Sequence, residues 1–254
     1  METVGLVAAI PQERDALLRR VGEWKRIALG PFQGHCFKLL RQTCVLVTSG
    51  MGIRRAREAT RCLVEMATPQ VLVSFGIAGA VEADLEIGVV VVAESVCLLD
   101  QGVPGPLLPL TTWPDAAQEA IVQALAKRYA HLYAGTAITT QGSQFVEYRP
   151  GEMSHPVLEM ETAGIAQVAM EKGIPLLSLR AISDGPCAPL PFNLGEMMDE
   201  DANLHVGKML KFVVCHPRII LQSRQLMRNT SIATDNAASA LVAALSQSAR
   251  VALR

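Results

Sequence analysis

The chain has no excess of charge of either sign and is poor in charged residues altogether. Its 254 residues include 23 Lys and Arg against 24 Asp and Glu, a formal net charge of −1, and charged residues make up 19%, below the usual quarter of a soluble protein. Proteins that bind nucleic acid or adhere to anionic membranes need a basic surface. The composition therefore gives no electrostatic case for either partner and favours a small, largely neutral ligand.

Metal-binding and disulfide patterns are missing as well. The six cysteines contain no Cys-x-x-Cys pair, and the five histidines contain no His-x-x-x-His pair. Zinc sites require such closely spaced ligands, so we expect no metal site. Several cysteines lie in apolar runs, where a free thiol behaves as a small hydrophobic group. This usage favours the reducing cytoplasm over an oxidising compartment.

The sequence also lacks long hydrophobic runs and targeting signals. Residues 101–114 carry no charge, but this segment holds several prolines and glycines and is too short to cross a bilayer. The first residues, Met1 to Val4, have neither a basic region nor a cleavage signature. We therefore expect a cytoplasmic protein without an integral membrane segment.

Short apolar runs alternate with helical patterns, without a linker or an internal repeat. Half of the residues are hydrophobic, which is enough for a buried core at this length. We predict strands at 4–9, 36–40, 44–48, 71–75, 89–93, 136–140 and 175–181, and helices at 11–20, 54–66, 115–129 and 161–172. The alternation predicts one α/β domain over residues 1–254 with a central mixed sheet. In residues 184–254, a proline-containing loop precedes helices at 206–214, 217–227 and 236–253.

Two glycine-rich turns follow predicted strands. The first, Gly-Met-Gly at 50–52, opens a helix and half-matches the dinucleotide-binding fingerprint, but Arg55 stands where that fold needs Gly or Ala. A dehydrogenase is therefore disfavoured. The second, Gly-Ile-Ala-Gly at 76–79, has little side-chain bulk. It either lets a ligand approach backbone N–H groups or is simply a tight corner.

Three carboxylates stand at the ends of predicted elements. Glu13 follows the first strand, Glu161 opens a helix, and Asp184 follows the last predicted strand. Ligands of open α/β sheets bind at the carboxyl ends of the strands, so the three side chains can converge on one site. Taken singly, Glu13 and Glu161 can be helix N-terminal acids and Asp184 can be a turn residue.

The motifs around these acids, taken together, resemble the nucleoside phosphorylase and nucleosidase superfamily. They are Glu13, the 76–79 turn, Glu159-Met160-Glu161, and Arg180-Ala181-Ile182-Ser183-Asp184. The best-known similar branch is the 5′-methylthioadenosine/S-adenosylhomocysteine nucleosidases. The resemblance implies one α/β domain whose central mixed, partly barrel-like β-sheet is flanked by helices, with a substrate-proximal loop and a helical C-terminal tail. It also implies an enzyme that cleaves the N-glycosidic bond of a purine nucleoside without a cofactor.

The resemblance implies catalytic roles for four residues. Cleavage gives the ribose oxocarbenium character, and the purine needs a proton as it leaves. Asp184 would supply that proton as general acid, with Ser183 positioning it, which requires burial to raise the pKa of Asp184. Glu13 would activate the attacking water, and Arg180 would help to hold it.

The same resemblance implies the substrate-binding residues. Glu161 would accept hydrogen bonds from the ribose hydroxyls and stay ionised, so that its charge favours the cationic sugar. Met160 would pack against the ribose. The base would stack on Phe145 and contact the backbone of Val146. The remaining substrate-binding residues are Ile77, Ala78 and Gly79 of the turn.

Water is favoured over phosphate as the nucleophile. Phosphorylases of the superfamily carry a Gly-Asp-Pro-x-Arg-type loop where this chain has Ile-Pro-Gln-Glu at 10–13, and a carboxylate there repels phosphate. Phosphorolysis with phosphate as co-substrate stays open for two reasons. Arg14, Arg54 and Arg180 could build an anion site, and Ile77 replaces a serine of the nucleosidases that contacts the nucleophile.

The chain after Asp184 bears on which nucleoside is bound. Leu190-Pro191, the acidic stretch 199–201 and His-Pro-Arg at 216–218 are similar to the hopanoid-associated phosphorylase branch. This similarity implies an adenosylhopane-like substrate as the alternative to a methylthioadenosine-like one. Such a substrate needs an apolar opening to the site. Four residues after Pro217 would either line this opening or only pack their own helix against the protein. These are Ile219, Ile220, Leu221 and Leu226.

The expected partner is a small-molecule nucleoside, bound by a homodimer or a higher homo-oligomer by analogy with relatives. A non-catalytic nucleoside-binding protein is an alternative of another class. Such a binder has no use for Asp184 as an acid, so the presence of all three acids favours an enzyme.

Overall fold

The structure is a computed structural model that describes residues 2–100, 102–140, 153–188 and 219–251, with side chains described over 224–247 of the last range. The strands are β1 (Thr3–Ala8), β2 (Trp24–Leu29), β3 (Phe32–Leu39), β4 (Gln42–Thr48), β5 (Val71–Ala80), β6 (Val90–Asp100), β7 (Val103–Pro104), β8 (Leu108–Pro109), β9 (Leu132–Thr139), β10 (Val157–Glu159) and β11 (Leu176–Asp184). The helices are α1 (Pro11–Leu18), α2 (Ile53–Ala67), α3 (Asp115–Ala126), α4 (Thr162–Lys172) and α5 (Ile219–Val251).

The strands form a mixed sheet that closes on itself at one end. The order is β10-β9-β6-β11-β5-β1-β4-β3-β2, with the short β7 and β8 paired to β6. β10 also pairs with β5, Val157 opposite Ala80 and Leu158 opposite Gly79. This pairing joins β5, β6, β9, β10 and β11 into a closed barrel, and β1, β4, β3 and β2 extend it. The expected mixed, partly barrel-like sheet is confirmed.

Helices cover both faces of the sheet. β1 and β11 are buried over almost their whole length, as continuous apolar runs predict. On one face α1, α3 and α5 pack a core that contains Leu17, Ile121 and Leu241. On the other face α2 and α4 bury Leu63 and Ile165 against the sheet.

The predicted strands and helices before residue 184 are all present, and the structure adds four strands that were not predicted, β2, β7, β8 and β10. The sequence pattern does not predict β2, because its first residues, Trp24, Lys25 and Arg26, are all exposed and show no alternation. β2 is the edge strand beyond β3. β5 continues through Ala80, so residues 76–79, predicted as a turn, are part of this strand, because their pairing with β11 and β10 keeps the chain extended. β6 also runs further than its apolar run indicates.

The C-terminal part differs from the prediction. The helices predicted at 217–227 and 236–253 are one helix, α5. The hydroxyls of Thr234 and Ser239 donate to the carbonyls of Thr230 and Asp235 one turn back, so the polar residues between the two predicted helices do not interrupt α5. The helix predicted at 206–214 lies outside the described residues. None of the helices that the structure describes is both long enough and hydrophobic enough to cross a membrane.

The predicted acids converge at the carboxyl end of β5. β11 runs parallel to β5 with Arg180 opposite Gly76, and the register shifts so that Asp184 lies opposite Gly79. On its other side β5 meets β10, which ends at Glu159 immediately before α4. Glu13, in the first turn of α1, accepts a hydrogen bond from β5.

Candidate active site

Glu13 is bound by three backbone N–H groups at the carboxyl ends of β1 and β5. Its Oε2 accepts hydrogen bonds from Ala9 (2.8 Å) and Ile10 (3.0 Å), and its Oε1 accepts one from Ile77 (2.9 Å). Burial raises the pKa of Glu13, and the charge of Arg180 and the three N–H groups only partly oppose that rise. Glu13 is therefore held in one orientation and is a stronger base than an exposed carboxylate.

Gly76 lets Glu13 come this close to β5. A Cβ atom on residue 76 would collide with the Glu13 carboxylate. The backbone of Gly76 does not have a positive φ, so the close approach, and not an unusual conformation, requires glycine here.

Arg180 is buried in an ion pair with Glu159. Nη2 of Arg180 donates to Oε2 of Glu159 (2.8 Å) and to the hydroxyls of Ser74 (2.7 Å) and Thr162 (2.9 Å). Burial alone would raise the pKa of Glu159, but the charge of Arg180 and the hydroxyl hydrogen bonds outweigh it and lower that pKa. Nε of Arg180 is buried and has no hydrogen-bond acceptor among the residues that the structure describes.

Glu161 is the N-cap residue of α4. Its Oε1 accepts a hydrogen bond from the N–H of Gly52 (3.0 Å), at the start of α2, and its Oε2 accepts one from the N–H of Met160 (3.3 Å). Burial, and then the negative charge of Glu159, raise the pKa of Glu161 to about 8. Arg180, whose charge opposes this rise, is paired with Glu159. The ionised Glu161 that the resemblance implies stays a prediction.

Asp184 ends β11 and lies against Gly79 of β5. Ser183 Oγ donates to Oδ1 of Asp184 (2.6 Å), and a Cβ atom on Gly79 would come within 2.9 Å of Oδ2. Burial raises the pKa of Asp184, and the hydrogen bond from Ser183 offsets only part of this rise. The expected contact between Ser183 and Asp184 is present. The proton transfer assigned to Asp184 stays a prediction.

Residues 77 and 78 of β5 connect Glu13 at one end of the site with Ser183 and Asp184 at the other. The N–H of Ile77 meets Glu13, while the carbonyl of Ala78 accepts a hydrogen bond from Ser183 Oγ (3.4 Å). The side chain of Ile77 packs against the core beneath α1, α3 and α5. This chain therefore contributes the backbone of Ile77 to the site. The resemblance implies that the nucleosidases have a serine side chain at this position.

The remaining predicted site residues are placed as follows. Met160 is buried beside Glu161, and its packing against the ribose stays a prediction. Phe145 and Val146 lie outside the described residues. Within the described ranges, no three His, Cys, Asp or Glu side chains are grouped in a way that could hold a metal ion.

Several residues of the site have no predicted role. They are Ser74, Gly52, Thr162 and Glu159, all hydrogen-bonded to Arg180 or Glu161 or both. Ser74 is the one hydroxyl in the apolar run 71–75, which is a usable signal. Glu159 stands in the Glu-Met-Glu motif, but spacing alone does not distinguish its role from that of Glu161.

The arrangement suits the cleavage of a bond whose leaving group needs a proton. A buried carboxylate lies beside Gly76 and Ile77 of β5, and a partly buried carboxyl whose pKa is raised by burial lies beside Gly79. Carboxyl groups with such different surroundings take different roles in glycoside chemistry. Arg180 and Glu159 add a neutralised ion pair beside them.

Comparison with known proteins places this arrangement in a family. The 5′-methylthioadenosine/S-adenosylhomocysteine nucleosidase of Staphylococcus epidermidis is 24% identical over 213 residues, which cover 78% of this chain and 93% of the relative. The aminodeoxyfutalosine nucleosidase of Helicobacter pylori is 26% identical over 229 residues, which cover 84% of this chain and 99% of the relative.

The fold is shared with solved structures. The crystal structure of 5′-methylthioadenosine/S-adenosylhomocysteine nucleosidase from Neisseria meningitidis, in complex with methylthio-immucillin-A, superposes with a TM-score of 0.67 at 20% identity, covering 97% of this chain and 99% of that one. The family model of the phosphorylase superfamily matches residues 3–214. A match of this extent spans every strand and four of the five helices described above, and the chain belongs to the phosphorylase superfamily.

Proposed function

We propose that this protein hydrolyses the N-glycosidic bond of a 5′-modified adenosine and releases adenine. The similar proteins of S. epidermidis and H. pylori are named nucleosidases, and each is covered over more than nine tenths of its length. The observation that carries the proposal is the buried, hydrogen-bonded position of Glu13. A buried basic carboxylate is fixed by three N–H groups, and β5 links it directly to the proton donor Asp184.

One bond breaks and one forms in this reaction. The electrons of the bond between C1′ and the purine move to the base, which takes the proton of Asp184, at N7 as the family resemblance implies. The oxygen of a water bonds to C1′, and Glu13 accepts the proton that this water loses. Burial keeps Asp184 protonated to a higher pH than an exposed aspartate, as a general acid requires.

Glu161 holds the ribose in this proposal. Its carboxyl is oriented by the N–H groups of Gly52 and Met160. When protonated, it donates as well as accepts hydrogen bonds to the ribose hydroxyls. As the sugar develops positive charge, that charge favours the ionised form of Glu161, which in turn stabilises the transition state.

The contacts of the charged groups support water as the nucleophile. Glu13 already occupies the three N–H groups that an anion would use. Of the three arginines that could bind phosphate, Arg14 is engaged by Asp15 (2.7 Å) and Gln33 (3.3 Å), and Arg54 is exposed in α2. Phosphorolysis, with phosphate as co-substrate, is the alternative, since the superfamily takes its name from phosphorylases.

The 5′ substituent separates the relatives from one another. Their names give methylthioadenosine, S-adenosylhomocysteine and aminodeoxyfutalosine, which differ at that position. The similarity of segments 190–191, 199–201 and 216–218 to the hopanoid-associated branch supports an adenosylhopane-like substrate and a role in hopanoid biosynthesis. These segments lie outside the described residues, and so do the side chains of residues 219–221. Leu226 is half-buried in α5.

A homodimer in the cytoplasm is part of the proposal. An apolar groove of about 250 Å³ lies between β8 and the end of α4. Met170, which lines this groove, is 59% exposed. Leu107, which precedes the lining residue Leu108 in sequence, is 47% exposed. Exposed apolar surface of this kind supports contact with a second copy of the chain.

A non-catalytic nucleoside-binding protein is less well supported. Burial raises the pKa of Asp184, which a general acid requires and a receptor does not.

Adenine release tests the proposal. The purified protein is incubated with methylthioadenosine, inosine and a lipid-linked adenosine, with and without phosphate, and the sugar product is identified by mass. Without phosphate, we expect adenine and a free reducing sugar from the two adenosine derivatives, whereas any cleavage of inosine would release hypoxanthine. Strict dependence on phosphate with a sugar 1-phosphate product would establish phosphorolysis, and release from no purine nucleoside would reject the enzyme altogether.

A further inference from the structure

Glu159 accepts more hydrogen bonds than the other acids of the site, yet no proposed step uses it. Its Oε2 accepts from the N–H of Glu161 (3.0 Å), the N–H and hydroxyl of Thr162 (2.8 and 2.7 Å) and Nη2 of Arg180 (2.8 Å). Its Oε1 accepts from the hydroxyl of Thr139. The side chain of Glu159 is fully buried. A carboxylate with so many donors is fixed in position and in charge.

The first consequence concerns the start of α4. Glu161 is the N-cap residue of this helix, but its own side chain makes no capping hydrogen bond. Glu159 instead accepts from the N–H groups of Glu161 and Thr162, and its negative charge lies at the positive end of the helix dipole. The backbone that carries Glu161 is thus held by Glu159.

The second consequence concerns Arg180. Glu159, Ser74 and Thr162 all contact the same atom, Nη2. One nitrogen of the guanidinium is therefore anchored, and the rigid plane fixes the direction of the others. Nε is among those others and has no acceptor within the described ranges.

The third consequence concerns charge. Four buried groups from four elements act on one another here, since Glu13 comes from α1, Glu159 from β10, Glu161 from the start of α4 and Arg180 from β11. Arg180 lowers the pKa of Glu159 below its usual value. After burial, the charge of Glu159 is the next cause that raises the pKa of Glu161 to about 8. Cys97 of β6 also faces Glu159, and burial followed by that charge raises its pKa to about 11.

We propose that Glu159 is a positioning residue of the active site, which holds the Arg180 guanidinium and the start of α4 in place and keeps a fixed negative charge beside Glu161. Only the kinetic test of this proposal rests on the nucleosidase function proposed above. In the proposed reaction Glu159 does not contact the reacting atoms and acts through Arg180 and Glu161.

The kinetic test compares Glu159→Gln with Glu171→Gln. Glu171 lies near the end of α4, the helix whose start Glu159 holds, but it is exposed in an ion pair with Arg61 (3.2 Å), so it is the matched control. For Glu159→Gln we expect kcat for adenine release from methylthioadenosine to fall by about 10²-fold, because misplacing groups by about 1 Å costs that much. We expect KM to change by less than about threefold, and the limb of the pH profile that belongs to Glu161 to move to lower pH. Glu171→Gln should match the wild type. A Glu159→Gln protein that keeps the wild-type kcat and pH profile, or loses activity only in proportion to its folded fraction, overturns the proposal.

A second measurement does not depend on catalysis. The pKa of Glu161 is followed by NMR of ¹³C-carboxyl-labelled glutamate, assigned with Glu161→Gln. We expect it to fall by about one unit or more in Glu159→Gln, since a neighbouring like charge is removed, and an unchanged value rejects the electrostatic role. If the wild type cleaves no nucleoside, this titration still decides the role of Glu159.

Glu159→Asp covers the case in which Glu159→Gln does not fold. The shorter side chain keeps the charge and withdraws it from Arg180. We expect a lowered kcat with a pKa of Glu161 that stays near 8. A wild-type kcat in Glu159→Asp would show that the position of Arg180 does not depend on Glu159.

Discussion

Gly76 and Glu13 are in direct contact, because the Glu13 carboxylate occupies the position that a Cβ atom of residue 76 would take. The contact joins the first turn of α1 to the end of β5 and brings Oε1 of Glu13 to the N–H of Ile77 (2.9 Å). Gly76 of β5 therefore makes room for Glu13, the side chain that activates the nucleophile in the proposed reaction.

Gly76→Ala should displace Glu13 and inactivate the protein while leaving it folded. We expect kcat for adenine release to fall by about 10²-fold, since the base loses its alignment with the attacking water. Gly22→Ala is the control, because that glycine is exposed and its added Cβ would meet nothing within 4 Å. Circular dichroism and steady-state kinetics of both variants check the prediction, and an active Gly76→Ala protein would contradict it.

Asp184→Asn should abolish turnover of purine nucleosides. An amide cannot give up a proton to the leaving base, and loss of general acid catalysis costs about 10²- to 10⁴-fold. The amide oxygen still accepts the hydrogen bond from Ser183. Because asparagine carries no carboxyl group whose ionisation burial would oppose, thermal stability should not fall. The exposed Asp84 provides the matched Asp→Asn control. Adenine release and melting temperature are measured on both variants, and an active Asp184→Asn protein would mean that another group protonates the base.

The stability of the protein should decline with rising pH, and Glu161 should cause part of that decline. The pKa of Glu161 is about 8 in the folded protein against an ordinary value of 4.5, so between these two pH values the folded state binds more protons than the unfolded state. The free energy of unfolding then falls as pH rises through this window. Glu13 and Asp184, whose pKa values burial also raises, contribute in the same direction.

Glu161→Gln tests this linkage, because glutamine does not titrate. Its free energy of unfolding relative to the wild type should increase by at most about 1.4 kcal/mol per pH unit between about pH 5 and about pH 8. Urea unfolding at several pH values measures the difference. Glu171→Gln, at an exposed position, should run parallel to the wild type. A Glu161→Gln curve that also runs parallel would show that Glu161 is ionised throughout the range.

The location of the acids could be predicted from the sequence, because each follows an apolar run or opens a helix. Glu13, Glu161 and Asp184 come together at the carboxyl end of β5, as the rule for open α/β sheets requires. Local pattern therefore determines which strand ends carry acids, and the parallel pairing of β5 with β11 brings two of these ends together.

The division of charge among the acids could not be predicted in this way. Glu159 and Glu161 are two residues apart in one motif, but only Glu159 contacts Arg180. That choice depends on β10 pairing with both β9 and β5, which is a contact between distant segments. The charge of Arg180 therefore lowers the pKa of Glu159, while burial and the charge of Glu159 raise the pKa of Glu161.

Glu13→Ala should be inactive and should regain activity with added formate. The substitution removes the proposed base and leaves three N–H donors, those of Ala9, Ile10 and Ile77, without the acceptor that they have in the wild type. The charge of Arg180, which acts on Glu13, also remains. Backbone N–H groups converging beside a positive charge bind small anions, so formate can enter and accept the proton of the attacking water. We expect a loss of about 10²- to 10³-fold in kcat and a recovery of at least about tenfold with formate.

The pattern of recovery separates the possible nucleophiles. Formate should not restore Asp184→Asn, because that variant lacks the acid and retains the base. If phosphate restores Glu13→Ala and the product is a sugar 1-phosphate, the vacated N–H groups accept phosphate, and the side chain of Glu13 is what excludes phosphorolysis in the wild type. If Glu13→Ala without any anion keeps an activity near that of the wild type, Glu13 is not the base. The three N–H groups would then serve only to join α1 to β5.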